Sequence, residues 1–169
     1  MTETQAPLII DIEASGYDDD SYPIEIGVVL DDEVRYCSLI KPSKNWTHWD
    51  QAAEQSHRIS RIALQTSGRS AATVAKQLNE LLAGRTVYSD GWTTSKPSLT
   101  RLFEAARTPM KFSISSLDEL LSKHQVTIWR STKDQVAKEI DNRRHRASNV
   151  AAITQETYLR TLALTTAVA

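Results

Sequence analysis

The sequence has 169 residues, of which 40% are hydrophobic and 24% are charged, and its formal net charge is −1. This length and composition predict one globular domain over residues 1–169 and exclude a disordered chain. The near-zero net charge provides no general attraction to nucleic acid or to an anionic membrane. A polyanion would therefore need a local patch or a metal ion.

Cysteine content and the N-terminal residues indicate where such a protein resides. Cys37 is the only cysteine, so no internal disulfide can form and a reducing compartment is expected. Residues 1–7 are polar and lack the basic-then-apolar order of a signal peptide. No apolar run approaches the length of a membrane span. We expect a soluble, cytoplasmic protein with no membrane partner.

Three strands are predicted in the first 40 residues. Residues 8–12 form a short apolar run that carries one acid, and residues 24–30 read as a second strand. A turn at Asp31 and Asp32 leads into a third strand over 34–40, which Pro42 follows. These segments predict an antiparallel meander.

Helices dominate the rest of the chain. After a loop rich in tryptophan, apolar residues recur at helical spacing over 74–82, and Gly84 follows them. A short strand over 86–88 precedes a helix marked by the apolar residues of 99–106. This alternation of helix and strand after a meander predicts an α/β fold with a mixed sheet flanked by helices.

Three more helices are predicted near the C-terminus. Ser116 and Glu119 have the spacing of a capping box ahead of an apolar pair. Another helix includes residues 136–140, and the last runs from about Ala147 into the C-terminal tail.

Asp11 and Glu13 are the first candidate site. They lie two residues apart at the end of the first predicted strand, and that spacing directs both carboxylates to one face of a strand. Paired carboxylates of this kind form a hard-oxygen site suited to Mg²⁺ or Mn²⁺. Solvated acids at a strand end are the alternative interpretation, and the pair alone does not decide between them.

His145 is the second candidate. It lies in a basic stretch, residues 143–146, just before the last predicted helix, where a histidine can act as a general base near neutral pH. An exposed histidine in a solvated charge cluster is the alternative. Trp46, Trp49, Tyr88 and Trp92 could stack on bases or pack loops onto the sheet, and His48 and His57 follow no metal-ligand pattern.

Together these segments resemble the DEDDh family of 3′–5′ exonucleases, which has a ribonuclease H-like fold with a five-stranded mixed sheet. Residues 10–16 match the family's first motif, and residues 23–27 follow as expected. Residues 88–99 look like the second motif, and His145, Arg146 and Ala147 open the third. The resemblance implies a metal-dependent phosphodiester hydrolase acting on nucleic-acid 3′ ends. Asp11 and Glu13 would hold the metal and His145 would take a proton from water.

The sequence departs from the family pattern at two metal-binding acids. The acid of the second motif is replaced by Ser95, four positions before Leu99, and the acid of the third by Val150, five positions after His145. Asp90 and Asn149 lie nearby but out of register. Two divalent ions bring four positive charges, and Asp11 with Glu13 supply only two negative ones. We therefore predict weak binding of about one Mg²⁺ or Mn²⁺ ion.

Three interpretations remain open at this point. The first is an exonuclease-family protein whose activity is weak or lost but which still binds a single-stranded 3′ end. The second is an active 3′–5′ exonuclease with a remodelled site. The third is a non-catalytic protein-interaction domain on the same fold. A homodimer or another protein partner is compatible with each of them.

Overall fold

The protein, described by a computed structural model over residues 5–140 and 146–167, contains one five-stranded sheet. The strands are β1 (Ile9–Ala14), β2 (Pro23–Val29), β3 (Arg35–Leu39), β4 (Thr86–Ser89) and β5 (Ser113–Ser116). The helices in the described ranges are α1 (Gln51–His57), α2 (Arg61–Ser67), α3 (Ala71–Leu82), α4 (Trp92–Ala106), α5 (Lys123–Glu139) and α6 (Ala147–Thr166), with a 3₁₀ turn at Leu117–Leu120.

The sheet is mixed, with the order β3-β2-β1-β4-β5. β1, β2 and β3 form the antiparallel meander, whereas β4 pairs in parallel with both β1 and β5. The predicted α/β, ribonuclease H-like class with a five-stranded sheet flanked by helices is thus confirmed. β1 is the central strand, paired with β2 over its length and with β4 at Ile9.

Strand alternation divides β1 between two helical layers. Ile10 and its antiparallel partner Val28 point into the larger core, where they pack with residues of α3 and α4. Ile9 and its partner Val29 point to the opposite face, where they pack with Ala151 of α6. Odd-numbered residues of β1 therefore face α6, as the period of two in a strand requires.

The ends of the helices follow local capping chemistry. Ser70 accepts a hydrogen bond from Thr73 N at the start of α3, and Ser122 forms a capping box with Gln125 at the start of α5. The capping box predicted at Ser116 and Glu119 was wrong. Ser116 caps only the 3₁₀ turn, because the helix that follows begins one turn later, at the Ser122 box.

Some elements were not predicted individually. The loop rich in tryptophan contains α1 and α2, each only 7 residues long, which is too short for a clear helical repeat. β5 has the sequence Ser-Ile-Ser-Ser, in which a single apolar residue carries no alternation. In the described residues, no helix is long and apolar enough to cross a membrane.

Candidate functional site

Asp11 and Glu13 project from β1 on the face covered by α6. Across the sheet, Asp11 is opposite Gly27 and Glu13 is opposite Glu25, both on β2. The two acids are each partly buried. Like Ile9, whose side chain packs against α6, they are at odd-numbered positions of β1 and so lie on the same face of the strand. The structure therefore directs both carboxylates to one face, as the sequence spacing predicts.

The first turn of α6 lies directly on β2 beside these acids. A Cβ atom added at Gly27 would collide with the backbone of Ala147 and Ser148, so only glycine permits this approach. Because Gly27 is the cross-strand partner of Asp11, the turn that opens the third motif and the strand that carries the first come together. The contact of Gly27 with Ala147 joins residues 120 positions apart in the chain.

Glu25 anchors that turn. Its side chain is 0% exposed, its Oε2 accepts a hydrogen bond from Ala147 N at 2.9 Å, and its Oε1 lies 2.5 Å from Arg146 Nη2. Arg146, the N-cap residue of α6, makes no capping hydrogen bond with its own side chain. A carboxylate at a helix N-terminus is favoured by the helix dipole, and here it comes from a neighbouring strand.

Cys37 completes this cluster from β3. Its Sγ donates to Glu25 Oε1 at 3.4 Å and accepts from Arg146 Nη2 at 3.8 Å. Burial, and then the negative charge of Glu25, raise the pKa of the Cys37 thiol. Desolvation is the largest single effect on Arg146 and lowers its pKa, but the charge of Glu25 and the interactions with Cys37 together outweigh it, so the pKa of the guanidinium is raised. The cysteine is thus held as a neutral thiol.

The third motif is described only in part. His145 lies outside the described residues, so its expected position near Asp11 stays a prediction. Arg146, the next residue, reaches Glu25, which is opposite Glu13. Val150 is on α6 and partly buried.

Ser95 is on α4 and is 3% exposed. Its Oγ lies 2.9 Å from the Oγ of Ser89, at the end of β4, and Ser89 Oγ also accepts from Gly91 N at 3.1 Å. Asp90 is engaged elsewhere, in an ion pair with Lys133 of α5. The second motif thus presents a hydroxyl pair at the position where the family pattern has a carboxylate.

A cleft of about 360 Å³ opens beside Glu13. The loop after β1 forms one wall, and Arg101 of α4 fixes that loop by donating to Ser21 O at 2.7 Å and Asp19 O at 2.8 Å. Tyr17, from the same loop, lines the cleft and is 73% exposed. The cleft thus combines three acidic residues, Glu13, Asp18 and Asp19, with a fixed cation and an exposed aromatic side chain.

His57, for which the sequence shows no metal-ligand pattern, lines the same cleft. It is buried at the end of α1, and its Nδ1 accepts a hydrogen bond from Ile59 N at 3.0 Å. In the neutral ring the proton therefore resides on Nε2. Nothing in the residue spacing marked this histidine, because the fold of a loop and a 7-residue helix brings it to the cleft.

The aromatic residues considered for base stacking make packing contacts. Trp46 stacks on Tyr22 with ring centroids 5.3 Å apart, and the rings of Trp49 and His57 make a T-shaped contact. Lys96 covers the ring of Trp92 at 4.9 Å. These contacts favour the packing interpretation, and they leave Tyr17 as the exposed aromatic side chain of the cleft.

The donor set limits which metal the site can hold. Asp11 and Glu13 provide hard carboxylate oxygens on one face of a central strand, which fits one Mg²⁺ or Mn²⁺ ion completed by water. Within residues 5–140 and 146–167, no group of three or more His, Cys, Asp or Glu side chains is arranged to hold a metal ion. Asp11 and Glu13 are therefore a pair of candidate ligands, without a larger ligand group around them in this part of the chain.

No protein-family model and no curated protein sequence matches the chain. Among solved structures, the chain is similar to E. coli exonuclease I in complex with a dA16 oligonucleotide, with a TM-score of 0.69 and 13% identity over 96% of this chain and 41% of that one. It is also similar to product-bound exonuclease I, with a TM-score of 0.67 and 12% identity over 94% of this chain and 44% of that one. A further match is exonuclease I without ligand, with a TM-score of 0.65 and 11% identity over 94% and 42% of the respective chains.

These similarities establish the fold. The chain adopts the exonuclease-like, ribonuclease H-like α/β architecture and spans less than half the length of the exonuclease I chains that it matches. At such low identity, substrate and activity do not follow from the fold alone.

Proposed function

We propose that this chain is a DEDDh-type 3′–5′ exonuclease-family protein that binds single-stranded nucleic-acid 3′ ends and cleaves them weakly or not at all. The observation that carries the proposal is the contact of α6 with β2 at Gly27, opposite Asp11. It brings the first and third motifs together, while Ser95 and Val150 leave the set of acids incomplete.

Asp11 and Glu13 would hold one Mg²⁺ or Mn²⁺ ion. When bound, such an ion activates water and stabilises the leaving oxygen of a phosphodiester. Without the other two acids the site lacks the negative charge needed to hold a second ion close to the first. His145 remains the proposed general base, on the strength of the motif alone.

The cleft beside Glu13 would receive the terminal nucleotide. Tyr17 is exposed there, and stacking of a base on an aromatic ring contributes about 1–3 kcal/mol. The similar exonuclease I structures include complexes with dA16, dA13 and dT13 oligonucleotides, which supports a nucleic-acid ligand for this chain.

The experiment uses single-stranded DNA and RNA labelled at the 5′ end, with Mg²⁺ and with Mn²⁺. We expect binding with little or no shortening, and weaker binding when the 3′ hydroxyl is blocked by phosphate. Asp11→Asn with Glu13→Gln is the matched control, because it keeps the shape of both side chains and removes both charges. That control should lose the metal-dependent part of the binding.

The other outcomes identify the alternatives. A rapid ladder of shortened products that the control variant abolishes would show an active enzyme and contradict the proposed loss of activity. Neither binding nor shortening would contradict the proposal as a whole and would leave a protein-interaction domain.

A further inference from the structure

We propose that Glu25 and Arg146 form a charge-balanced positioning pair, which fixes the first turn of α6 and sets the charge that a cation meets at Asp11 and Glu13. The inference rests on the proposed function, because it concerns the same carboxylate site.

The positioning part follows from how both oxygens of Glu25 are used. One accepts from Ala147 N at 2.9 Å and the other lies 2.5 Å from Arg146 Nη2. The carboxylate is 0% exposed, so solvent does not replace either contact. Together with the close approach at Gly27, these contacts fix where α6 begins relative to β1 and β2.

The charge part follows from the strand register. Glu25 is directly opposite Glu13, and directly opposed residues in an antiparallel pair lie on the same face with their Cβ atoms about 5 Å apart. Asp11, Glu13 and Glu25 therefore form a row of carboxylates beneath the start of α6. Arg146 offsets the charge of Glu25 within this row, so the pair adds no net charge beside Asp11 and Glu13.

A charge effect and a purely structural effect predict different changes in Mn²⁺ affinity for the two single substitutions. Glu25→Gln leaves Arg146 as an unbalanced cation beside the site and should weaken Mn²⁺ binding. Arg146→Met leaves Glu25 as an unbalanced anion and should strengthen it. If the pair only docked α6, both substitutions would loosen the same turn and weaken binding together.

The test is calorimetric titration of the full chain with Mn²⁺ at pH 8, with a thermal melt of each variant. We expect Kd to rise about tenfold in Glu25→Gln and to fall about tenfold in Arg146→Met. In the double variant, which loses both charges, Kd should return to within about twofold of the parent value. If Glu25→Gln does not fold, the other two variants still test the inference: the Mn²⁺ Kd should fall in Arg146→Met and return to near the parent value in the double variant.

Arg160→Met is the matched control. Arg160 is on the same helix and is 38% exposed, against 39% for Arg146, and it pairs with Glu139 and Glu156 at 2.6 Å. It lies about 21 Å along the helix from Arg146, beyond the Debye length of about 8 Å. The Mn²⁺ Kd should not change in this variant, even though its stability falls.

If the Mn²⁺ Kd changes in the same direction in Glu25→Gln and Arg146→Met, or changes in neither, this inference is overturned and the proposed function still stands. A parent protein that binds no Mn²⁺ would overturn the proposed site and this inference with it.

Discussion

Ser95 and Val150, the two positions where the resemblance predicts an acid, occupy different surroundings. Ser95 is 3% exposed and shares a hydrogen bond with Ser89, whereas Val150 is partly exposed on the first turns of α6. Leu164, in helical phase with Val150, is 56% exposed, so a continuous apolar stripe does not extend along that face. A carboxylate at position 150 would therefore bury less charge than one at position 95.

At the scale of elements, the packing of α6 on β2 determines the geometry of the site. We predict that Gly27→Ala destabilises the protein by about 1–3 kcal/mol, because the added methyl would have to displace the backbone of Ala147 and Ser148. Urea unfolding would measure the loss, and the Mn²⁺ affinity should fall with it as α6 moves away from Asp11.

Gly91→Ala is the control for that substitution. Its backbone φ is −102°, and an added Cβ would meet Thr94 Oγ1 at 3.4 Å, an ordinary contact. The free energy of unfolding of the Gly91→Ala variant should differ from that of the parent by less than about 0.5 kcal/mol. An equal loss in both variants would mean that the close approach at Gly27 has no special role.

The elements also show how far sequence reasoning reaches. The alternation in β1 and β2 predicted a shared face for Asp11 and Glu13, because strand geometry has a strict period of two. Glu25 was not predicted to be an anchor, since its partners at positions 146 and 147 are distant in sequence and nothing local marks them. The cleft position of His57 was missed for the same reason.

At the scale of the whole molecule, three tyrosine hydroxyls and the cysteine thiol titrate at higher pH because they are buried or partly buried. Burial raises the pKa of the phenols of Tyr22, Tyr36 and Tyr158 and of the Cys37 thiol. A group whose pKa is raised in the folded state stabilises the fold below its unfolded pKa and loses that contribution as the pH rises. We therefore predict that the free energy of unfolding decreases from about pH 9 upward.

Tyr22→Phe tests this account of alkaline stability. Tyr22 is 0% exposed, and its hydroxyl has no hydrogen-bond partner among the described residues, so phenylalanine removes a titrating group without breaking a described hydrogen bond. Urea unfolding between pH 7 and pH 10.5 should show a shallower decline for the variant than for the parent. Parallel curves would contradict a contribution from Tyr22.

Restoring both acids, by Ser95→Asp together with Val150→Asp, tests most directly whether the missing carboxylates limit this site. We expect Mg²⁺-dependent 3′–5′ shortening of single-stranded substrate to increase by about a hundredfold or more, and by more than the two single variants combined, because a half-built site positions neither water nor leaving group. The buried setting of Ser95 should lower thermal stability without metal, and Mn²⁺ should recover it. Adding Asp11→Asn should abolish the gain. A folded double variant that binds Mn²⁺ but leaves both DNA and RNA intact would contradict the claim that these two acids alone separate the chain from an active exonuclease.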